Sequence, residues 1–164
     1  MLAKEVDFFN YQKILIPLHL KNKKHWTLCE IDLQEHCLRF YDSQGKDGMP
    51  ILNDILSYLQ QAHLAIRKEK LDVSKFKLEN AECPQQTTKT DCGIFVIAVA
   101  DHLATNSKLT FSQNDISSYR LAIRTDIQTN RVELARYFVN GKLSLRKKTS
   151  VLRFVSRRKQ CTKT

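Results

Sequence analysis

Two strand patterns separated by only three polar residues limit what this sequence can fold into more than any other feature. Residues 26–33 place Thr, Cys, Ile and Leu at alternate positions, and residues 37–42 continue the alternation with Leu38 and Phe40 on one face. Such alternation is typical of strands. The polar residues 34–36 suffice for a tight turn, so the pattern predicts an antiparallel hairpin. An apolar, β-branched stretch at 14–20 predicts a further buried strand.

The sequence after residue 42 predicts helices and one more strand. A loop over 43–50 ends in Pro50, which suits the first turn of a helix. Apolar residues recur at helical spacing over 51–62 and over 112–139, with a break near 129–130. Residues 94–103 form an apolar run that predicts a buried helix. Residues 76–78 predict a short strand. Together these patterns predict an α+β fold in which a small antiparallel sheet packs against helices.

The positive charge of the chain is concentrated at one end. The 27 Lys and Arg residues outnumber the 17 Asp and Glu residues, which gives a formal net charge of +10. Every acidic residue lies between Glu5 and Glu133, whereas residues 141–164 contain nine Lys or Arg and no acid. Residues 1–140 are therefore almost neutral. We predict a folded domain over 1–140 and a flexible basic tail over 141–164.

The basic tail bears on location and on partners. Its clusters 146–148 and 157–159 have the composition of nuclear import signals or nucleic-acid contacts, and a plain solvated extension is the alternative. We favour a nuclear over a cytoplasmic location. No apolar run approaches the roughly 18 residues of a membrane span, and the first thirty residues lack a signal peptide. We therefore expect a soluble, monomeric, intracellular protein with no membrane partner.

The cysteines and histidines do not predict a disulfide framework or a metal site. There are five of each, and no two cysteines have CxxC spacing. The odd cysteine count argues against a set of disulfides, and the scattered histidines argue against zinc. We expect no metal and no cofactor. Cys29, Cys37 and Cys83 are predicted to be small buried apolar residues, and Cys161 an exposed thiol without a function.

The predicted hairpin brings a histidine and an aspartate together. If the chain turns near Gln34, facing residues have numbers that sum to about 68, and His25 and Asp42 sum to 67. Side chains that face each other across two strands have Cβ atoms about 4.5–5.5 Å apart. A carboxylate at that distance can orient an imidazole, as in a catalytic triad. A purely structural His–Asp pair is the alternative.

Cys92 is the candidate nucleophile. It follows a polar loop and opens the apolar stretch 94–103, so the unpaired N–H groups at the start of that helix would favour a thiolate. Gly93 leaves room for the close approach of a substrate backbone. A buried cysteine at the start of a helix is the alternative interpretation.

Four motifs in order carry a resemblance to a known family: His25-Trp26, Tyr41-Asp42-Ser43, Pro84-Gln85-Gln86 and Asp91-Cys92-Gly93. The sequence closely resembles the ubiquitin-like-protein proteases, the sentrin/SUMO-specific cysteine proteases of the papain-like superfamily. The resemblance covers residues 6–104, and extends more loosely to 138. It implies a papain-like cysteine protease fold with the nucleophile at the N-terminus of a central helix.

The resemblance also implies a role for each motif residue. Cys92 matches the nucleophile that attacks the carbonyl after the terminal Gly-Gly of the modifier, and His25 and Asp42 match its general base and the orienting carboxylate. Gln86 matches the side chain that forms the oxyanion hole together with backbone N–H at the cysteine. Trp26 matches a tryptophan that covers the di-glycine tail. Gln85 is expected to be an ordinary loop residue.

The sequence departs from the family at its start, since only 24 residues precede His25. The family has a longer helical segment there, with a second tryptophan, so we expect a catalytic domain that lacks this part: a truncated product, a fragment, or a chain completed by a partner. The expected function is an isopeptidase that releases SUMO or a related modifier from lysine, with precursor processing as a further activity. One alternative is a module that binds the modifier without cleaving it. The other is a protein whose main function is nucleic-acid binding by the tail, with no separate role for the domain.

Overall fold

The predicted hairpin forms the centre of the sheet. In the computed structural model, which describes residues 7–130 and the backbone of 136–139 and 142–145, strand β1 is Lys13–Leu20, β2 is His25–Asp32 and β3 is Cys37–Tyr41. Neighbouring strands in this order are antiparallel. Facing residues of β2 and β3, such as Leu28 and Tyr41, have numbers that sum to 69, so the turn lies half a residue later than predicted.

The turn of the hairpin is stabilised by the last residue of β2. One carboxylate oxygen of Asp32 accepts hydrogen bonds from the backbone N–H of Gln34 at 3.1 Å and of Glu35 at 2.9 Å. His36 then adopts a positive φ of 51°. An aspartate that accepts from backbone N–H groups two and three residues later favours a turn, and this local signal sets the register of the strands.

A fourth strand makes the sheet mixed rather than wholly antiparallel. Strand β4, Lys77–Asn80, pairs with β3 in parallel. The intervening chain contains helix α1, Met49–Arg67, and a crossover of that length is what a parallel pair requires. The α+β class is confirmed. The expectation that every strand would be antiparallel is wrong for β4, because the pattern of a short strand does not reveal its direction.

Helix α1 begins where the sequence predicts. Gly48 is its N-cap residue, and Pro50 lies in its first turn. The N–H of Gly48 donates to the side-chain oxygen of Asn80 at 2.9 Å, which connects the start of α1 to β4. A Cβ atom at Gly48 would overlap the ring of Phe40. Glycine therefore lets α1 approach the sheet closely.

The sheet is covered on both faces. Helix α2, Cys92–Ala104, and helix α3, Ile116–Thr129, form an apolar cluster with one face, while α1 packs on the other. Because neighbouring residues of a strand point to opposite faces, Leu28 belongs to the α2 side and Cys29 to the α1 side. The α1 side contains Cys29, Ile31, Leu38, Phe40, Leu52 and Leu59. The α2 side contains Leu28, Tyr41, Phe95, Val96, Ala98, Val99, Phe111, Ile116 and Tyr119. The prediction that 94–103 is a buried helix is confirmed.

The C-terminal part differs from its prediction. Helix α3 ends at Thr129, and Asn130 terminates it in a left-handed conformation with a φ of 53°. Residues Arg136–Val139 form strand β5, which pairs antiparallel with strand β6, Lys142–Leu145. The predicted helix over 112–139 is therefore wrong at its end, where an aromatic and β-branched stretch favours a strand.

The predicted boundary at 140/141 falls between β5 and β6, and residues 142–145 of the predicted flexible tail form β6. The basic clusters at 146–148 and 157–159 lie outside the described residues. No helix in the described part of the chain is long and apolar enough to cross a membrane.

Candidate active site

His25 and Asp42 form a buried pair at the open end of the hairpin. His25 is the first residue of β2, and Asp42 directly follows β3. Nε2 of His25 lies 2.6 Å from Oδ1 of Asp42, and each side chain is only 2% exposed. The same Oδ1 accepts a hydrogen bond from the backbone N–H of Gln44 at 2.7 Å. The turn after β3 therefore holds the carboxylate in place for the imidazole.

The second ring nitrogen of His25, Nδ1, is available to accept a proton. When Nε2 donates its proton to the carboxylate, Nδ1 carries the lone pair of the neutral imidazole. Nδ1 is buried and has no hydrogen-bond partner among the described residues. A buried polar atom usually has a partner. An unpaired basic nitrogen beside a fixed carboxylate is therefore a candidate general base.

Cys92 lies at the first position of α2. Its side chain is buried, with 6% of the residue exposed. A Cβ atom at Gly93 would lie 3.9 Å from Cδ1 of Trp26, so the residue after Cys92 lies against the residue after His25. The first N–H groups of a helix have no acceptor within it. Cys92 thus lies at a helix N-terminus that packs against the start of β2, the strand that begins with His25.

Trp26 lies at the surface rather than in the core. It is 41% exposed, and its indole stacks on the imidazole of His19, with ring centroids 4.6 Å apart and planes 22° apart. The two residues face each other across β1 and β2. Sequence reasoning missed His19, although the pairing of the two strands would have placed it beside Trp26.

Gln86 is held against the turn that carries Asp42. Its Oε1 accepts a hydrogen bond from Ser43 Oγ at 2.7 Å, and its backbone N–H donates to the carbonyl of Ser43 at 2.8 Å. Its Nε2 donates to the carbonyl of Thr88 at 2.5 Å. The amide donor of Gln86 is therefore paired within its own loop in this structure.

Gln85 has a larger structural role than predicted. Its Nε2 donates to the carbonyl of Asp42 at 3.1 Å and to that of Cys83 at 3.0 Å. These bonds connect the backbone of Asp42 to the loop before α2. Gln85 lies in a loop as expected, and its bonds to backbone carbonyls are a detail that the sequence does not show.

The amino-acid sequence matches the Ulp1 protease family, C-terminal catalytic domain, over residues 2–134. The chain belongs to this family. The resemblance drawn from the four motifs is confirmed. The matched residues include the whole arrangement of His25, Asp42 and Cys92, and they extend through the end of α3.

Alignments with individual Ulp1-family relatives cover most of this chain but only a small part of each relative. Sentrin-specific protease 2 of Homo sapiens is 34% identical over 121 residues, which are 72% of this chain and 20% of that protein. Sentrin-specific protease 3 of Mus musculus is 33% identical over 130 residues, 76% of this chain and 22% of that protein. The chain thus spans about a fifth of the length of these relatives.

Solved structures of the family share the fold. The X-ray structure of the C-terminal Ulp1 protease domain in complex with Smt3, the yeast ortholog of SUMO, superposes with a TM-score of 0.66 and is 28% identical. The superposition covers 77% of this chain and 57% of that chain. The α+β architecture described above is therefore that of a Ulp1 catalytic domain.

The other described cysteines of this Ulp1-family chain are poor nucleophiles. Within residues 7–130 all four cysteines are free thiols. Burial, with the charge of Glu30, raises the pKa of Cys29 to about 12. Burial, with the charge of Asp42, raises the pKa of Cys83 to about 11. Burial also raises the pKa of Cys37. The predicted burial is confirmed for Cys29 and Cys37, whereas Cys83 is half-buried.

A hydrogen-bonded cluster surrounds Asp91, the residue before Cys92. Its carboxylate accepts from Thr88 Oγ1 at 2.5 Å, from Gln113 Nε2 at 2.8 Å, and from the guanidinium Nε and Nη2 of Arg120. The bond from Thr88 and the Arg120 guanidinium hold the pKa of Asp91 below its usual range. Sequence reasoning missed this cluster because its members come from a loop and from residues more than twenty positions away.

Metal ligation has no support in the described part of the chain. No group of three or more His, Cys, Asp or Glu side chains there could hold an ion. The chemistry that these residues can perform is that of a thiol, an imidazole and a carboxylate.

Proposed function

We propose that the protein is a cysteine isopeptidase and endopeptidase that cleaves after the C-terminal Gly-Gly of SUMO or a related modifier. Membership of the Ulp1 protease family supports the reaction class. The names of the relatives, sentrin-specific proteases, and the Ulp1 complex with Smt3 support the substrate class. The observation that carries the proposal is the buried His25–Asp42 pair at 2.6 Å, in which Nδ1 of His25 has no hydrogen-bond partner among the described residues.

In the proposed reaction, Nδ1 of His25 takes the proton of the Cys92 thiol. The thiolate attacks the carbonyl carbon of the terminal glycine, and the electron pair of the carbonyl moves onto its oxygen. When this tetrahedral intermediate collapses, the bond to the lysine nitrogen breaks and His25 gives its proton to the departing amine. The products of this half are a free lysine and a thioester on Cys92.

Water completes the proposed cycle. Nδ1 of His25 takes a proton from the water that attacks the thioester, and collapse of the second tetrahedral intermediate breaks the C–S bond. The modifier leaves with a free carboxylate and Cys92 regains its proton from His25. Asp42 keeps the imidazole in the tautomer with the proton on Nε2 and stabilises its charged form in both halves.

The negative oxygen of both intermediates needs hydrogen-bond donors. We assign the backbone N–H groups of Cys92 and Gly93 to this role, because they open α2 and have no acceptor within the helix. We assign Gln86 Nε2 as the side-chain donor. Since this atom bonds to the carbonyl of Thr88 in the structure, the proposal requires it to exchange that acceptor for the substrate oxygen.

Trp26 and Gly93 are assigned to the di-glycine tail. The exposed indole lies against the position of Gly93 at the start of α2. A glycine at the helix N-terminus beside an aromatic ring suits a substrate segment without side chains, and this matches the Gly-Gly end of the modifier. Any larger residue would have to displace the indole.

The test is labelling with SUMO that carries a vinyl sulfone at its C-terminus. We expect a covalent adduct on Cys92 at neutral pH under reducing conditions, located by peptide mass spectrometry. Cys83→Ala, which removes another thiol near the site, should still form the adduct, and Cys92→Ala should not. The same reagent made from ubiquitin reports the preference for the modifier.

Two outcomes would contradict the proposal. Folded protein that binds SUMO without an adduct or turnover would indicate a modifier-binding module. Folded protein that neither binds nor reacts with either modifier would exclude both functions.

A further inference from the structure

The side chain of Asp91, the residue before Cys92, does not cap helix α2. Asp91 is the N-cap of α2, and an N-cap aspartate normally accepts a hydrogen bond from the N–H of the second or third helical residue. Within the described structure its side chain makes no such bond, and its backbone has helical angles, φ −97° and ψ −4°, instead of extended ones. The carboxylate is directed elsewhere.

Three side chains direct the Asp91 carboxylate away from α2. Thr88 and Gln113 donate to Oδ2 at 2.5 Å and 2.8 Å, and the Arg120 guanidinium donates to Oδ1 through Nε and Nη2. Arg120 also donates to the carbonyl of Thr90 at 3.2 Å. Arg120 belongs to α3, so a separate helix determines where this carboxylate points.

Gln113 binds both the Asp91 carboxylate and the backbone at the start of the loop before α2. Its Oε1 accepts from the backbone N–H of Thr87 at 2.8 Å, while its Nε2 donates to Asp91. One amide group therefore connects both ends of the segment 87–91. This segment joins Gln86 to Cys92, so the positions of the proposed oxyanion donor and nucleophile depend on it.

The direction of the Asp91 carboxylate affects Cys92 in two ways. A carboxylate that capped α2 would occupy N–H groups that the proposed reaction needs for the substrate oxygen. An uncompensated negative charge next to Cys92 would also disfavour the thiolate, because like charges raise the pKa of a thiol. Arg120 opposes both effects, since it holds the carboxylate and neutralises its charge.

We propose that Arg120 is a positioning residue that acts through Asp91: it keeps the amides at the start of α2 open and the thiolate of Cys92 accessible. The inference rests on the proposed function of Cys92 as nucleophile. Gln113 and Thr88 assist by fixing the second carboxylate oxygen. Arg120 itself does not contact the substrate.

The experiment measures how fast iodoacetamide alkylates Cys92 as a function of pH, with the site of labelling read by peptide mass spectrometry. Among the described charged groups, Asp91 directly precedes Cys92 and binds Arg120, Lys89 lies three residues before Cys92 in the chain, and the His25–Asp42 pair lies on the sheet that packs against α2. In Arg120→Ala we expect the midpoint of the pH profile to move up by about one pH unit. The rate at pH 7 then falls about tenfold, while the limiting rate at high pH is unchanged.

A second substitution separates this role from simple support of the fold. In Arg120→Ala combined with Asp91→Ala, the harmful carboxylate is gone, so we expect the pH profile to return to that of the parent protein. Arg124→Ala removes an exposed arginine one turn further along α3 and should leave the profile unchanged. Arg120→Lys keeps the charge and should show a smaller shift than Arg120→Ala.

The proposal is overturned if Arg120→Ala has the profile of the parent protein, or if the double substitution is as slow as Arg120→Ala alone. The second result would mean that Arg120 only supports the fold, which thermal unfolding of each variant would show in parallel. Because iodoacetamide does not require recognition of a modifier, this experiment can succeed even if the vinyl sulfone of SUMO fails to react. The two proposals can therefore fail separately.

Discussion

Gly93 lies against Trp26, so that a Cβ atom at Gly93 would come within 3.9 Å of Cδ1 of the indole. This distance is an ordinary van der Waals contact, and it connects the start of α2 to the start of β2. Cys92 and His25 each precede one member of this pair. The contact therefore holds the start of α2 against the start of β2, and the missing side chain at Gly93 leaves a small gap beside the indole.

Filling that gap should reduce cleavage without harming the fold. Gly93→Ala adds a methyl group that the indole tolerates, and alanine is a better helix former than glycine. We expect kcat/KM for a SUMO conjugate to fall about 10²-fold, which is the cost of displacing a bound substrate by about 1 Å. Alkylation of Cys92 by iodoacetamide should not change, and an unchanged kcat/KM would contradict the role given to Gly93.

The charge of Asp42 can be tested separately from its hydrogen bonds. Because one oxygen, Oδ1, lies within hydrogen-bond distance of both His25 Nε2 and the N–H of Gln44, the amide oxygen of an asparagine can accept the same two bonds. Asp42→Asn should therefore fold and keep the imidazole oriented. It loses the negative charge that stabilises the imidazolium, so we expect the cleavage rate to fall about 10²–10⁴-fold.

The matched control for this substitution is Asp47→Asn. Asp47 is an aspartate of the same loop, with its own bonds to Asn80 and to the backbone N–H of Met49. This control removes the same charge outside the proposed active site and should leave the cleavage rate unchanged. If Asp42→Asn behaves like the control, the pair with His25 is structural.

Local signals explain what the sequence could predict. The hairpin follows from alternation and a short polar turn, and the start of α1 follows from Pro50, two positions after Gly48. The juxtaposition of His25 and Asp42 follows from the hairpin alone, because two antiparallel strands with a known turn have only one or two possible registers. These features depend on fewer than twenty neighbouring residues.

Features that depend on distant residues could not be predicted in this way. The parallel direction of β4 depends on how α1 crosses the sheet, and the direction of the Asp91 carboxylate depends on Arg120, 29 positions away. The sequence indicates the end of α3 at Thr129 only as a break, since propensity alone does not decide between helix and strand for the residues that follow.

Gly48 should prove necessary for stability rather than for catalysis. A Cβ atom there would overlap the ring of Phe40, and Phe40 is buried between the sheet and α1. Gly48→Ala is expected to lower the free energy of unfolding by about 1–3 kcal/mol, the usual cost of overpacking, as measured by urea denaturation. The loss should be smaller in a Phe40→Leu background, and an equal loss in both would rule out the contact as its cause.

The raised pKa values of the buried cysteines predict selective labelling. At pH 8, a thiol with the pKa of about 11 given for Cys83 is about 10⁻³ thiolate, whereas an unfolded cysteine with a pKa of about 8.5 is about one quarter thiolate. In a Cys161→Ser background, iodoacetamide should label Cys92 in the folded protein long before Cys29 or Cys83. In urea all four cysteines should react at similar rates. Prompt labelling of Cys83 in the folded protein would contradict its raised pKa.

The same cysteines should make the fold less stable in alkali. Burial, with a nearby carboxylate, raises the pKa of Cys29 to about 12 and that of Cys83 to about 11. Above a pH of about 8.5 the unfolded chain releases thiol protons that the folded chain keeps, so the free energy of unfolding falls as the pH rises from there towards 11. Urea denaturation at pH 7, 9 and 10 should show this decline. Cys83→Ala should reduce its slope above pH 8.5, because one thiol no longer contributes, and an unchanged slope would show that Cys83 keeps an ordinary pKa in the folded protein.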